Sequence, residues 1–82
     1  MNLSQIIQET LKQYRQNKNL SQEQLAEASN LDRTYISGFE RGIRNISLLS
    51  LEKILDGLKL DSLTFFKLCI DNVSEVNNEK SI

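Results

Sequence analysis

Apolar positions at the start of the chain return with a helical period. Leu3, Ile7, Leu11 and Tyr14 fall at i, i+4, i+8 and i+11, one stripe on one helix face. Ser4 is the candidate cap of this helix, and Asn19 its candidate stop, because asparagine tolerates the left-handed conformation that ends helices. A second helix begins at Ser21, where Ser-x-x-Gln through Gln24 spells a capping box. Ala26 and Ala28, beside Leu25, let another helix come close. Ser29-Asn30-Leu31 reads as a tight turn. Asp32 caps a third helix from Arg33 to about Arg41, and Gly42 ends it. Ser47 caps a fourth, expected to bury Leu48, Leu51, Ile54, Leu55 and Leu58. Asp61 caps a fifth, running to Val73. The pattern predicts an all-α bundle of five helices in one domain over residues 1–73, with 74–82 as a polar, flexible tail.

The fifth helix is too apolar for a single buried face. Leu63, Phe66 and Ile70 form one stripe at i, i+3 and i+7, and Phe65, Leu68 and Cys69 point elsewhere. One stripe can close the core. The other asks for a second chain, and a two-fold dimer is the simplest supplier. The candidate interface residues are Leu63, Phe65, Phe66, Cys69 and Ile70; the spacing leaves open which of them face the partner. Cys69 reads as a small apolar packer rather than a redox group.

Composition narrows the function. The chain has 82 residues, no histidine and one cysteine, so the usual zinc sites and nucleophile–base pairs are missing. No enzyme activity, metal or cofactor is expected. The absence of a signal segment or long apolar run suggests a soluble, cytoplasmic protein with no membrane partner. The net charge of −1 argues mildly against nucleic acid. Its distribution softens that, because residues 1–45 hold six basic and five acidic side chains, and residues 46–82 hold four and six. Arg33, Arg41 and Arg44 cluster on or just past the third helix.

Each helical residue turns by about 100°, which places Asp32, Phe39 and Glu40 within about 60° of Ile36, on the core side. Thr34, Ser37, Gly38 and Arg41 lie about 100–160° from Ile36. Arg33 sits at the edge of this outward face, which carries hydroxyls, guanidinium groups and a gap at Gly38, and no carboxylate. Arginine bonds guanine O6 and N7 together, and threonine or serine bonds base edges or meets a thymine methyl. Arg44, Asn45 and Ser47, ahead of the fourth helix, suit phosphates. Gly38 gives neighbouring side chains or a duplex room to approach.

The segment SQEQLAEASNLDRTYISGFERG resembles the phage-repressor-like helix-turn-helix family, whose usual form has Gln, Leu-Ala, Gly-Val, Ile-Ser and Glu-x-Gly at these spacings. The motif covers residues 21–41, and the wider likeness runs from about Ile7 to Leu58. SNLDRTYISGFERGIRNISLLSLEKIL, with Phe65-Phe66, resembles the controller proteins of restriction–modification systems still more closely. Asn19 and Asn30 stand where the family often has glycine, and Ile46 where it often has proline.

The resemblance implies a lambda-repressor-like fold and a transcriptional regulator, repressor or activator, that binds a palindromic DNA operator as a homodimer. Two dimers on adjacent sites would switch activation to repression. It matches Arg33, Thr34 and Ser37 to base-reading positions, and Gln22, Tyr35, Arg41, Asn45 and Ser47 to backbone-contacting or flanking ones. Arg44 matches an arginine that reaches the groove. Arg15 and Glu40 match a buried ion pair that anchors the recognition helix. Glu23 and Glu27, four apart on the second helix, are either a solvated face or a contact for RNA polymerase. Rival readings are a phage-type repressor, an antitoxin, or a protein-interaction module that kept the fold without binding DNA.

Overall fold

The computed structural model describes the backbone of residues 2–81 and the side chains of residues 2–73. Five helices follow in chain order: α1 (Leu3–Asn17), α2 (Gln22–Ser29), α3 (Arg33–Glu40), α4 (Leu48–Gly57) and α5 (Ser62–Ser81). α2 packs against α3 and α4, and α1 packs against α3 and α5. The backbone of α5 is helical past Val73. The flexible tail expected at 74–82 lies outside the residues whose side chains are described.

Local sequence sets nearly every helix start. Ser21 Oγ accepts from the Gln24 N–H while the Gln24 amide oxygen accepts from the Ser21 N–H, the reciprocal capping box. Asp32, Ser47 and Asp61 accept from Thr34, Ser50 and Thr64 N–H groups. The start of α1 differs from expectation. Asn2, not Ser4, is the cap, and Asn2 with Gln5 forms a second capping box. Asn-x-x-Gln performs the same exchange as Ser-x-x-Gln, two residues earlier than the serine suggested.

Four helices end alike. Asn19, Asn30, Gly42 and Lys59 take positive φ of 58°, 55°, 76° and 55°. The apolar residue that follows each one, Leu20, Leu31, Ile43 or Leu60, donates its N–H to the carbonyl five residues back. This is the Schellman closure, which satisfies helix-end carbonyls and usually adds an apolar contact. Leu20, Leu31 and Leu60 supply that contact; Ile43 does not, being 69% exposed. Lys59 carries no residue-type signal for positive φ, so this stop was not legible in sequence.

The core gathers one stripe from each helix, and Leu11, Leu25, Ile36, Ile54 and Phe65 are its most buried members. Two expected core residues are absent. Leu3 and Leu48 lie exposed, each in the first turn of its helix, before the packed layer begins. α5 divides cleanly. Phe65 is fully buried, with Leu68 and Cys69 packed against the same core. Burial raises the Cys69 thiol pKa. The exposed stripe is therefore Leu63, Phe66 and Ile70. Phe65 leaves the candidate interface, because it closes the chain's own core; Cys69 is half-buried at the edge of that core, beside Ile70.

α2 and α4 come close together at Gly57. A Cβ there would stand 2.6 Å from Ser29 Oγ and 3.0 and 3.1 Å from the Ala28 backbone carbon and oxygen. A serine hydroxyl can rotate away; the backbone cannot. Gly57→Ala is therefore expected to cost about 1–3 kcal/mol by overpacking, against the roughly 1 kcal/mol gain that helix propensity predicts. Denaturant midpoints decide the sign, and a midpoint at or above wild type removes the close-approach account.

Candidate nucleic-acid interface

Between Arg33 and Ser47 the sequence holds three arginines and a single carboxylate, Glu40. The fold takes that carboxylate inside. Glu40 is buried, with Oε2 accepting from Arg15 Nε at 2.7 Å and Oε1 from Arg15 Nη2 at 3.0 Å. Gln22 Nε2 donates to the same Oε1 at 2.9 Å, and Arg15 Nη1 donates to the Leu20 carbonyl at 2.5 Å. A two-pronged arginine–carboxylate contact fixes direction as well as distance. α1, α2 and α3 are locked together at the end of α3, and from Arg33 to Ser47 the exposed side chains are cationic or neutral only. Gln22, expected at a phosphate, is turned into this anchor.

At the other end of α3, Asp32 Oδ1 accepts from the Thr34 N–H at 3.1 Å. The Thr34 backbone and hydroxyl hold the Asp32 carboxyl below its ordinary pKa, so it stays ionised at neutral pH. A depressed carboxylate stabilises above its unfolded pKa, and the contribution fades as pH falls through the lowered value. Arg33 and Thr34 are exposed in the first turn, Ser37 is half-buried one turn on, and Arg41 is exposed at the end.

Gly38 is not the open gap that the helical angles suggested; it is buried. A Cβ on it would meet Arg44 Cδ at 3.3 Å and Cγ and Nε at 3.4 Å. The Arg44 stem lies along the helix where a side chain would otherwise stand, and its guanidinium carbon sits 5.9 Å from the Tyr35 ring centre. Gly38 thus makes room for a neighbouring side chain. Tyr35 is half-buried against the core, and its hydroxyl accepts from the Ser47 N–H at 3.4 Å. Tyr35 therefore joins α3 to the start of α4 while its ring carries Arg44. Asn45 and Ser47 are exposed beside it. Of the expected site residues, the fold gathers Arg33, Thr34, Ser37, Arg41, Arg44, Asn45 and Ser47 around α3 and the loop after it. Glu23 and Glu27 are exposed on α2.

Sequence reasoning missed Gln8. Its Nε2 donates to the Glu40 carbonyl at 2.6 Å across 32 residues of chain. No local pattern announces such a bond, since Gln8 sits in α1 among other polar residues.

A family model described as helix-turn-helix matches residues 11–65. Control protein C.BamHI of Bacillus amyloliquefaciens is 47% identical over 58 residues, which cover 70% of this chain and 72% of that protein. Control protein C.SmaI of Serratia marcescens is 51% identical over 51 residues, covering 62% of this chain and 61% of that protein. The restriction–modification controller protein C.Esp1396I is 42% identical and superposes with a TM-score of 0.85, covering 89% of this chain and 94% of that one. The chain belongs to the helix-turn-helix family, among the restriction–modification controller proteins. It spans about three fifths of the length of C.SmaI. C.Esp1396I has also been solved bound to a 25-base-pair operator, with a TM-score of 0.84 and 42% identity over 89% of this chain and 96% of that one. As a tetramer on its natural 35-base-pair operator it matches with a TM-score of 0.83 and 44% identity, over 87% and 93%. The matched residues 11–65 include all of α2, α3 and α4.

Proposed function

We propose that this chain is a sequence-specific DNA-binding regulator of a restriction–modification system, acting in the cytoplasm as a homodimer on a palindromic operator. One observation carries the reading: between Arg33 and Ser47 every exposed side chain is cationic or neutral, because the lone carboxylate is buried on Arg15. The acidic pI of about 5.3 describes the whole chain; over a screening distance of about 10 Å the local surface governs. Arg33, Thr34 and Ser37 read bases, and Arg41, Asn45 and Ser47 hold phosphates. The apolar stripe Leu63, Phe66 and Ile70 pairs two chains. A two-fold pair sets its recognition helices on half-sites about 34–36 Å apart. The operator complexes of C.Esp1396I support the same arrangement.

Arg33 and Arg41 separate reading from holding. Arg33→Ala is expected to weaken operator binding by about 1–3 kcal/mol, the worth of a bidentate arginine–guanine contact, with random-duplex binding nearly unchanged. Arg41→Ala is expected to weaken both duplexes alike and to flatten the salt dependence by about one phosphate contact. Both side chains are exposed, so both variants melt near wild type. Anisotropy titrations use an operator selected from a random pool and its scrambled partner at matched salt. Equal losses on both duplexes for Arg33→Ala make Arg33 a phosphate clamp. A wild-type chain that binds no duplex in a salt-dependent way is a protein-interaction module instead.

A further inference from the structure

The loop after α3 carries Arg44 and Asn45 and begins beside Arg41, yet it lacks the staple that fixes the other helix ends. Leu20, Leu31 and Leu60 each press into the core just after a left-handed residue, and Ile43, in the same position, is 69% exposed. The turn itself closes normally, with the Ile43 and Arg44 N–H groups both donating to the Gly38 carbonyl at 2.9 and 3.2 Å. What is missing is the apolar contact directly after the turn, and at that point Gln8 supplies a tertiary hydrogen bond. Its Nε2 donates to the Glu40 carbonyl at 2.6 Å, and its Oε1 lies 3.5 Å from where a Cβ on Gly42 would stand. Last-turn carbonyls have no partner within their own helix, and here α1 provides it. A groove of about 440 Å³ separates the two segments, with Ser4, Gln5 and Gln8 on one wall and Arg41, Arg44 and Asn45 on the other.

We infer that Gln8 is a positioning residue of the DNA interface. By holding the Glu40 carbonyl and the Gly42 turn, it sets where Arg41, Arg44 and Asn45 meet the phosphate backbone, in place of the apolar staple that Ile43 does not form. The inference rests on the DNA-binding reading for its consequence, and on α1 and the loop alone for its geometry.

The test is Gln8→Met in the full chain, which keeps length and removes the donor. Two measurements are made: amide hydrogen exchange of the free protein, and anisotropy titration against operator and scrambled duplexes. Exchange at Ile43 and Arg44 is expected to speed up while core amides such as Leu55 and Phe65 hold their rates. Affinity for both duplexes is expected to fall about three- to tenfold, within the range of one lost hydrogen bond, with the operator-to-scrambled ratio retained and a cooperative melt lowered by only several degrees. Unchanged loop exchange overturns the inference. So does an exchange increase shared by the core, which makes Gln8 a general stabiliser, and so does a loosened loop with wild-type affinity. A wild-type chain that binds neither duplex overturns the DNA reading itself, a result distinct from a Gln8→Met variant that binds as wild type does.

Discussion

Glu40→Ala is expected to cost about 3–5 kcal/mol, because it leaves a buried arginine without its carboxylate. Arg15 has only 10% of its side-chain surface exposed, so water cannot replace the lost partner. Gln22 Nε2 also loses its acceptor. Total stability for a domain of this kind is about 5–15 kcal/mol, so the variant keeps little margin. Each kcal/mol is worth about 4–8 °C in a domain of this size, and the melting temperature should fall by well over 10 °C. The loss is not the net worth of the pair. Arg15→Met with Glu40→Leu, which fills the site with apolar groups, is expected to recover most of the stability, since such swaps are often neutral or better. That double variant should still bind operator poorly, because the direction of α3 is no longer fixed by a two-pronged contact. Denaturant melts of Arg15→Met, Glu40→Leu and the double variant give the coupling. A Glu40→Ala variant within about 1 kcal/mol of wild type would mean that the ion pair is not truly desolvated.

The two adjacent phenylalanines of α5 should respond in opposite ways to the same change. Phe65 is fully enclosed and Phe66 is 55% exposed. Truncating a buried phenylalanine costs about 3–5 kcal/mol, and an aspartate there adds an uncompensated buried charge. Phe65→Asp is therefore expected to abolish the cooperative melt. Phe66→Asp is expected to keep the helical spectrum and a cooperative melt, while light scattering shifts from the mass of two chains to that of one. Operator affinity should fall with the mass, because one chain grips one half-site. A Phe66→Asp variant that stays dimeric moves the interface off the Leu63–Phe66–Ile70 stripe. A Phe65→Asp variant that melts normally contradicts the core assignment.

Much of this molecule is written in local pattern. Capping residues Ser21, Asp32, Ser47 and Asp61 start helices because one side-chain oxygen satisfies N–H groups that the helix leaves unpaired. Asn19, Asn30 and Gly42 end helices because they tolerate positive φ cheaply. These signals act over three or four residues, so a linear reading reaches them. The period of apolar positions likewise identified the inward face of α3, with Ile36 and Phe39 buried. Where sequence offered two equal answers, it stayed silent. α5 has two apolar stripes, and only packing against α1 shows that Phe65, Leu68 and Cys69 close the core and Leu63, Phe66 and Ile70 do not.

The site divides along the same line. The residue types that the proposed DNA-reading role calls for were visible from Arg33 to Ser47, because the chemistry of groove and phosphate asks for arginine, hydroxyl and amide groups without carboxylates. How those groups are held was decided by distant partners. Gln22 turned to Glu40 rather than outward, Gly38 was covered by the stem of Arg44, and Tyr35 met the Ser47 N–H. Gln8 reached the Glu40 carbonyl from another helix. By itself, then, the sequence determined the helices, their caps and the chemical character of the reading face, since each depends on neighbours in the chain. Only the tertiary structure decided which stripe was core and which side chains support α3, because those choices depend on groups brought within 3 Å of each other from 18 to 32 residues away.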